Sequence, residues 1–232
     1  MKSILTVVII LIALFVLGNY FYSEDAVKTD TTTLDSSVEQ IKEPMSFFVT
    51  SVNPGKGADL GGLAGADGYC ALLAENTGVM GKQWNAYLST TGAGGEDARD
   101  RIGNGPWYNA KGELVANNLT ELHGVNRLTK TTALDENGSQ VLGRGDTPNM
   151  HDILTGSLAD GTASTSTQND TTCSNWTSST TGSAIVGHHD RIGIDDSAPM
   201  KSWNSSHATR GCDMEALKGT GGAGLLYCFA NE

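Results

Sequence analysis

Four cysteines constrain the fold of this chain more than any other feature of its sequence. Cys70, Cys173, Cys212 and Cys228 are widely separated, and none has a neighbour at the short spacing that zinc sites use. In an oxidising compartment an even number of cysteines indicates two disulfides, and three pairings are then open. The interpretation of the cysteines therefore depends on whether the chain is exported.

The N-terminal segment predicts export. Lys2 precedes Ile4 to Leu17, a run of fourteen residues in which only Thr6 is polar, and this arrangement is typical of a secretory signal. Counted through Tyr22, the segment is nearly long enough to span a bilayer, and it lacks small residues at a cleavage site. Residues 1–22 are therefore predicted to be either a signal peptide or a signal anchor that attaches the chain to a membrane.

Composition divides the rest of the chain into a linker and a domain. Residues 23–45 are polar and lack apolar periodicity, which predicts a flexible linker, and the folded domain is expected over residues 46–232. The chain has 29 glycines, which favours a turn-rich fold over a helical bundle. Its 26 acidic and 15 basic side chains give a net charge of -11 with no basic cluster, which argues against a nucleic-acid partner.

Apolar periodicity predicts one main helix and several short strands. Residues 46–52 alternate and are rich in β-formers, as in a strand. Apolar residues at helical spacing over 63–76 predict a helix with Cys70 on its apolar face. Further strands are expected over 84–89 and over 224–229. The chain is therefore expected to fold into a mixture of helix and sheet.

The predicted elements suggest how the cysteines pair. One cysteine lies in the helix and another in the terminal strand, which suggests Cys70–Cys228 as the outer disulfide and leaves Cys173–Cys212 as the inner one. Closing such loops contributes about 3–5 kcal/mol each in the chain-entropy model. The predicted fold class is α+β, with short strands, one main helix, long loops and two nested disulfides.

Several segments resemble a known family. GADGYCALLAENTGVMGKQWNAYLS, HDILTGSLADGT, CSNWTSS and LLYCF are similar to motifs of the endostatin domain of collagen XVIII. Bacterial exported proteins that are often labelled lectins share GGLAGAD, ARDRIGNGPWYNAKG and SWNSSH. The resemblance covers about residues 46–230. It implies the C-type-lectin-like fold in its endostatin-like variant, a bacterial origin and the binding of carbohydrate.

The resemblance implies a binding module rather than an enzyme. C-type lectins bind sugar through calcium with Glu-Pro-Asn or Gln-Pro-Asp together with Trp-Asn-Asp, whereas this chain has only Trp203-Asn204-Ser205. The domain also has no histidine near Ser46, where endostatin binds zinc. Calcium is thus unsupported by the motif, and no metal or other cofactor is expected.

Three polar segments, residues 144–152, 188–191 and 203–207, form the predicted ligand-binding face. The candidate ligand-binding residues on it are Arg144, His151, Asp152, His188, His189, Asp190, Trp203, Asn204 and His207. A Trp ring stacks on the apolar face of a sugar and an Asn amide hydrogen-bonds to its hydroxyls. The structural alternatives are that Trp203 packs in the core beside a disulfide and that the histidines hold loops.

The sequence therefore predicts an exported module of the cell envelope or extracellular space that binds a carbohydrate or glycoconjugate. The alternative is a structural or interaction module whose partner is an envelope protein. A minor alternative is a metal-dependent hydrolase built on His151, His188, His189 and Asp190. Adjacent histidines on one strand point to opposite faces, so His188 and His189 would hold one ion only in a loop.

Overall fold

The computed structural model describes residues 43–166 and 169–231 of the chain. The predicted signal or anchor over residues 1–22 lies outside the described residues, and so does the predicted linker except for its last three residues. In the described ranges no helix combines the length and the hydropathy that a bilayer crossing requires.

Within these ranges the chain forms short strands and few helices. The strands are β1 (Phe47–Val49), β2 (Gln83–Ala86), β3 (Trp107–Tyr108), β4 (Leu114–Ala116), β5 (Asp152–Leu154), β6 (Ile185–His188), β7 (His207–Ala208) and β8 (Gly222–Asn231). The helices are α1 (Gly62–Asn76), α2 (Ala98–Arg101), α3 (Leu119–His123), α4 (Cys173–Trp176) and α5 (Met214–Thr220), with a 3-10 turn at Pro199–Lys201. This mixed architecture agrees with the predicted α+β class.

Strand β8 organises the main sheet, whose order is β1-β8-β5-β6-β7, with β2 also paired to β8. Strands β1 and β2 run antiparallel to β8, whereas β5 runs parallel to it. Strand β6 is antiparallel to β5, and β7 is antiparallel to β6. Strands β3 and β4 form a separate two-stranded sheet. The functional candidates on β5, β6 and β7 therefore lie on one side of β8.

Both faces of β8 are covered, which explains why the strand is apolar along nearly its whole length. Leu226 and Cys228 pack in a core that contains Cys70 and Leu73 of α1. On the other face, Tyr227 packs in a second core with the aromatic side chains Phe47, Tyr87, Trp107, Trp203 and Phe229. The sheet thus separates two buried apolar clusters.

The two predicted disulfides are confirmed. Cys70–Cys228 joins α1 to β8, and Cys173–Cys212 joins α4 to the segment that precedes α5. All four cysteines are fully buried. The outer disulfide therefore fixes the main helix against the strand to which three other strands pair.

Glycine permits the closest backbone contact in the sheet. A Cβ atom at Gly187 of β6 would lie 1.8 Å from the carbonyl oxygen of Trp203. A side chain at residue 187 would therefore collide with this carbonyl group. The neighbouring amide, His188 N, donates to Ser202 O at 2.9 Å. This contact holds the segment that leads to β7 directly against β6.

We expect the outer disulfide to stabilise the fold more than the inner one. Its cysteines are 158 residues apart in sequence, against 39 for the inner pair. The chain-entropy model gives losses of about 5 kcal/mol for Cys70→Ala/Cys228→Ala and about 4 kcal/mol for Cys173→Ala/Cys212→Ala. Urea unfolding of the two double variants measures these losses, and a larger loss for the inner pair would contradict the expectation.

Removal of the Trp203 ring should lower stability. The side chain is 3% exposed, and its ring lies 4.8 Å from that of Tyr87 between ring centroids. Trp203→Ala should cost about 3–5 kcal/mol of unfolding free energy, as for other buried aromatic residues, whereas Trp203→Phe should cost less. A Trp203→Ala protein of unchanged stability in urea unfolding would show that the ring is not part of the core.

Candidate functional site

The register of three strands assembles the site. Asp152 on β5 lies opposite His188 on β6, and His207 on β7 lies opposite Val186 on β6. Directly opposed residues share a face of a sheet, as do residues two apart on one strand. The side chains of Asp152, His188 and His207 therefore project from the same face. His151 immediately precedes β5, and its carbonyl oxygen accepts from His189 N at 3.1 Å.

Three imidazoles converge on one carboxylate oxygen. Asp152 Oδ1 lies 3.2 Å from His151 Nε2, 3.3 Å from His188 Nε2 and 3.5 Å from His207 Nε2. The rings of His151 and His188 are stacked with centroids 4.1 Å apart, and the ring of His207 meets that of His188 edge-on. We refer to these four residues as the His/Asp cluster.

Most of the His/Asp cluster is buried. His151, Asp152 and His188 are 2%, 2% and 1% exposed, whereas the side chain of His207 is 28% exposed. Burial disfavours the charged carboxylate of Asp152, but the neighbouring imidazoles outweigh it, so its pKa lies below the usual value. The same carboxylate raises the pKa of His207 above its usual value. His207 thus connects a buried polar group to the surface.

A second layer of acceptors orients the three rings. The Nδ1 atom of His188 lies 2.8 Å from Met200 O, and that of His207 lies 3.2 Å from Ala208 O. The Nδ1 atom of His151 lies 3.4 Å from Asp190 Oδ1. Each ring therefore directs its Nε2 atom towards Asp152.

Backbone amides hold Asp190 behind His151. Its Oδ2 accepts from Arg144 N at 2.7 Å and its Oδ1 from Ile192 N at 3.0 Å. Burial opposes ionisation of Asp190, but its hydrogen bonds with His151 and these amides outweigh that effect and lower its pKa. Residue 143 is glycine because a Cβ atom there would lie 2.6 Å from Asp190 Oδ2. The loop over residues 143–146 is thus shaped around this carboxylate.

The cluster contains buried polar atoms without aligned hydrogen bonds. These atoms are both carboxylate oxygens of Asp152 and the Nε2 atom of His188. The nitrogens approach Asp152 within ion-pair distance but not along the direction of a hydrogen bond. Buried carboxylates are normally satisfied by donors. These three atoms are therefore unsatisfied polar atoms in the interior of the described part of the chain.

A surface cavity of about 340 Å³ opens beside the cluster. It is lined by Arg144, His151, His188, Ile194, Met200, His207, Ala208, Arg210, Gly219 and Thr220. Arg144 and Arg210 are exposed, and neither guanidinium pairs with a carboxylate of the described residues. A larger groove of about 530 Å³ lies elsewhere, but the charged residues that line it are Glu43 and Glu136, without a histidine. The cavity at the cluster is the better candidate site.

The structure brings together six of the nine residues that the sequence predicted. They are Arg144, His151, Asp152, His188, Asp190 and His207. His189, which belongs to the ligand set of the hydrolase alternative, turns away from the cluster, and its Nε2 lies 3.2 Å from Leu142 O. Strand β6 ends at His188, so the two adjacent histidines face different surroundings.

Trp203 and Asn204 lie in the interior, which corrects the expectation that they face a ligand. Trp203 is 3% exposed and packs in the second core. Asn204 is 1% exposed, and its amide donates to Tyr87 Oη at 2.9 Å and to Leu158 O at 3.1 Å. The amide thus holds a loop to the core, which leaves neither side chain accessible for stacking on a sugar.

The cavity is also lined by Arg210, Ile194 and Met200, which were not predicted from the sequence. Arg210 follows the predicted segment 203–207 by three residues and precedes Cys212 by two. An extension of that segment to the next cysteine would have included it. Ile194 and Met200 carry no such signal, because isolated apolar residues in a loop do not indicate a ligand site.

Comparison with known proteins gives no assignment: no family model matches the sequence, and no curated protein matches it significantly. The function is therefore inferred from the geometry and charge of the site.

Proposed function

We propose that the protein is an exported, envelope-associated binding module of the C-type-lectin-like, endostatin-like class. Its ligand is an acidic carbohydrate, whose anionic group binds between Arg144 and Arg210 in the cavity beside the His/Asp cluster. The observation that carries this proposal is the presence of two exposed arginines at one cavity of an acidic protein.

The positive charge of these two arginines bears on the charge of the ligand. Acidic residues outnumber basic ones by 26 to 15 in the sequence, so two arginines at one cavity give that cavity a charge opposite to that of the chain. Arg99, Arg101 and Arg127 each form an ion pair. An arginine binds carboxylate, sulfate or phosphate groups through two parallel hydrogen bonds. Arg144 and Arg210 have no carboxylate partner in the part of the chain that the structure describes, and two such arginines at one cavity favour an anionic ligand.

The size and the walls of the cavity favour a small ligand group. Its volume of about 340 Å³ is near the lower end of the range of small-molecule sites, about 300–1,000 Å³. Ile194 and Met200 supply apolar surface, which suits the C–H face of a sugar ring. These features support recognition of one acidic sugar residue at the end of, or along, a polymer.

The fold features support a carbohydrate as the ligand class. Short strands, long loops and two nested disulfides agree with the resemblance to endostatin-like and lectin-like proteins. The proposed site is built from the polar loops in which the sequence predicted the ligand face. The predicted export segment over residues 1–22 would hold the module at the envelope, where acidic polymers are accessible.

Substitutions that remove the charge of each arginine test the proposal. We expect the oxidised full chain in detergent to bind uronic-acid oligosaccharides in preference to a neutral glucan of equal length. Arg144→Gln and Arg210→Gln each remove a charged hydrogen bond worth about 1.5–3 kcal/mol, which weakens the affinity roughly 10- to 100-fold. Isothermal titration calorimetry measures both effects.

Lys111→Gln is the matched control, since Lys111 is exposed in the turn between β3 and β4 and loses the same charge. Equal weakening by the control, or a preference for the neutral glucan, would contradict the proposal. Binding to polyglutamate but to no acidic glycan would favour the alternative of an envelope protein as the partner.

A further inference from the structure

We propose that the His/Asp cluster binds a divalent transition-metal ion, with zinc the best fit. The ligands are the Nε2 atoms of His151, His188 and His207 and the carboxylate of Asp152. This inference goes beyond the proposed function and stands on separate observations. It also replaces the sequence-based expectation that the protein has no metal.

The hydrogen bonds behind the rings fix where their protons lie. A backbone carbonyl oxygen only accepts, so the Nδ1 atoms of His188 and His207 carry hydrogen towards Met200 O and Ala208 O. His151 Nδ1 faces the carboxylate of Asp190 in the same way. In a neutral imidazole the other nitrogen then has a free lone pair. The Nε2 atoms, which lie 3.2–3.5 Å from Asp152 Oδ1, are then the nitrogens that can bind a cation.

Lone pairs and a carboxylate oxygen repel one another unless a cation lies between them. The alternative is that the rings are protonated and donate from Nε2 to Asp152. That alternative requires aligned donors, but both oxygens of Asp152 and the Nε2 atom of His188 lack an aligned partner. It also places two imidazolium ions at residues that are 2% and 1% exposed, which is costly. A bound cation satisfies all of these atoms at once.

The distances from Asp152 Oδ1 to the imidazole nitrogens match the distance between neighbouring ligands of a zinc ion. With bonds of about 2.0–2.1 Å, zinc holds its ligand atoms about 3.3 Å apart at the corners of a tetrahedron. The three distances from Asp152 Oδ1 to the histidine nitrogens are 3.2, 3.3 and 3.5 Å. His151, Asp152 and His188 offer ligand atoms that all lie within 4.8 Å of one another. His207 is outside that group of three, but its Nε2 lies 3.5 Å from the same oxygen, and we place it as the fourth ligand, on the cavity side.

The surroundings of the donors match those of metal sites. Histidines that bind metals donate their second nitrogen to a carboxylate or a backbone carbonyl, which orients the ring. Each of the three rings has such a partner, and Asp190 is itself held by two backbone amides. The side chain of His207 is 28% exposed, so an ion can reach it from solvent.

The donor set distinguishes among metals. Imidazole nitrogens with one carboxylate suit zinc and similar transition-metal ions. Calcium requires about 6–8 oxygen ligands, and this cluster offers the carboxylate of one residue. The cluster therefore selects against calcium.

Metal analysis of the full chain tests the inference without any glycan. The protein is purified with an affinity tag that contains no histidine, stripped with a chelator and titrated with zinc against a chromophoric chelator. We expect one zinc per chain and a higher melting temperature with zinc but not with calcium. Substitution with cobalt should give the strong visible absorption of a tetrahedral site.

Single substitutions locate the ion. His207 is partly exposed, and His207→Gln should weaken zinc binding more than about 100-fold. Asp190→Asn should weaken it about 10- to 100-fold, as for other residues that hydrogen-bond to metal ligands. His123→Gln is the control, because His123 lies in α3 and contacts Tyr87 Oη rather than the cluster. Near-UV circular dichroism verifies that each variant is folded.

Three results would overturn the inference: no zinc binding at micromolar concentration by the folded protein, unchanged binding by the His207→Gln variant, or equal loss in the His123→Gln control. Each result is measured as the amount of zinc bound per chain. A protein that binds zinc but no acidic glycan would refute the proposed function and leave the metal site intact.

Discussion

The main sheet carries the carboxylate of Asp152 into the interior, and the contacts of three histidines depend on where β5 holds it. Strand β5 lies between β8, to which it is parallel, and β6, to which it is antiparallel. A slip of one residue would turn every side chain of the strand to the opposite face. The pairing with β6 is regular and places Asp152 opposite His188, whereas the pairing with β8 shifts register between Asp152 and Ile153. The geometry of the His/Asp cluster thus follows from the packing of the sheet.

The stability of the sheet depends in turn on β8 and its disulfide. Cys228 is bonded to Cys70 of α1, and β1, β2 and β5 all pair with β8. The inner disulfide ends at Cys212, two residues after Arg210 and just before α5. The segment that carries Arg210 is thus fixed between β7 and a covalent bond. A domain with long loops depends on such restraints, because loops contribute little apolar burial of their own.

The sequence predicted those parts of the fold that have a strong local signal. Helix α1 follows from apolar spacing, and the buried strand β8 follows from a continuous apolar run before the last residues. Strands β6 and β7 have four and two residues and no alternation, so no periodicity could indicate them. The choice between His188 and His189 depends on where β6 ends, which is a tertiary property. Trp203 is suited to a sugar or to a core, and only the packing of Tyr87 and Tyr227 against it decides between them.

Charge connects the cavity and the cluster. Asp152 and Asp190 contribute two negative charges beneath the cavity, and they oppose the binding of an anion between Arg144 and Arg210. A divalent cation on Asp152 would offset both charges, since the three imidazoles are neutral when they are ligands. The two arginines would then set the sign of the potential at the cavity mouth. In this arrangement the metal need not contact the ligand, because neutralisation of the floor is sufficient to let the guanidinium groups attract it.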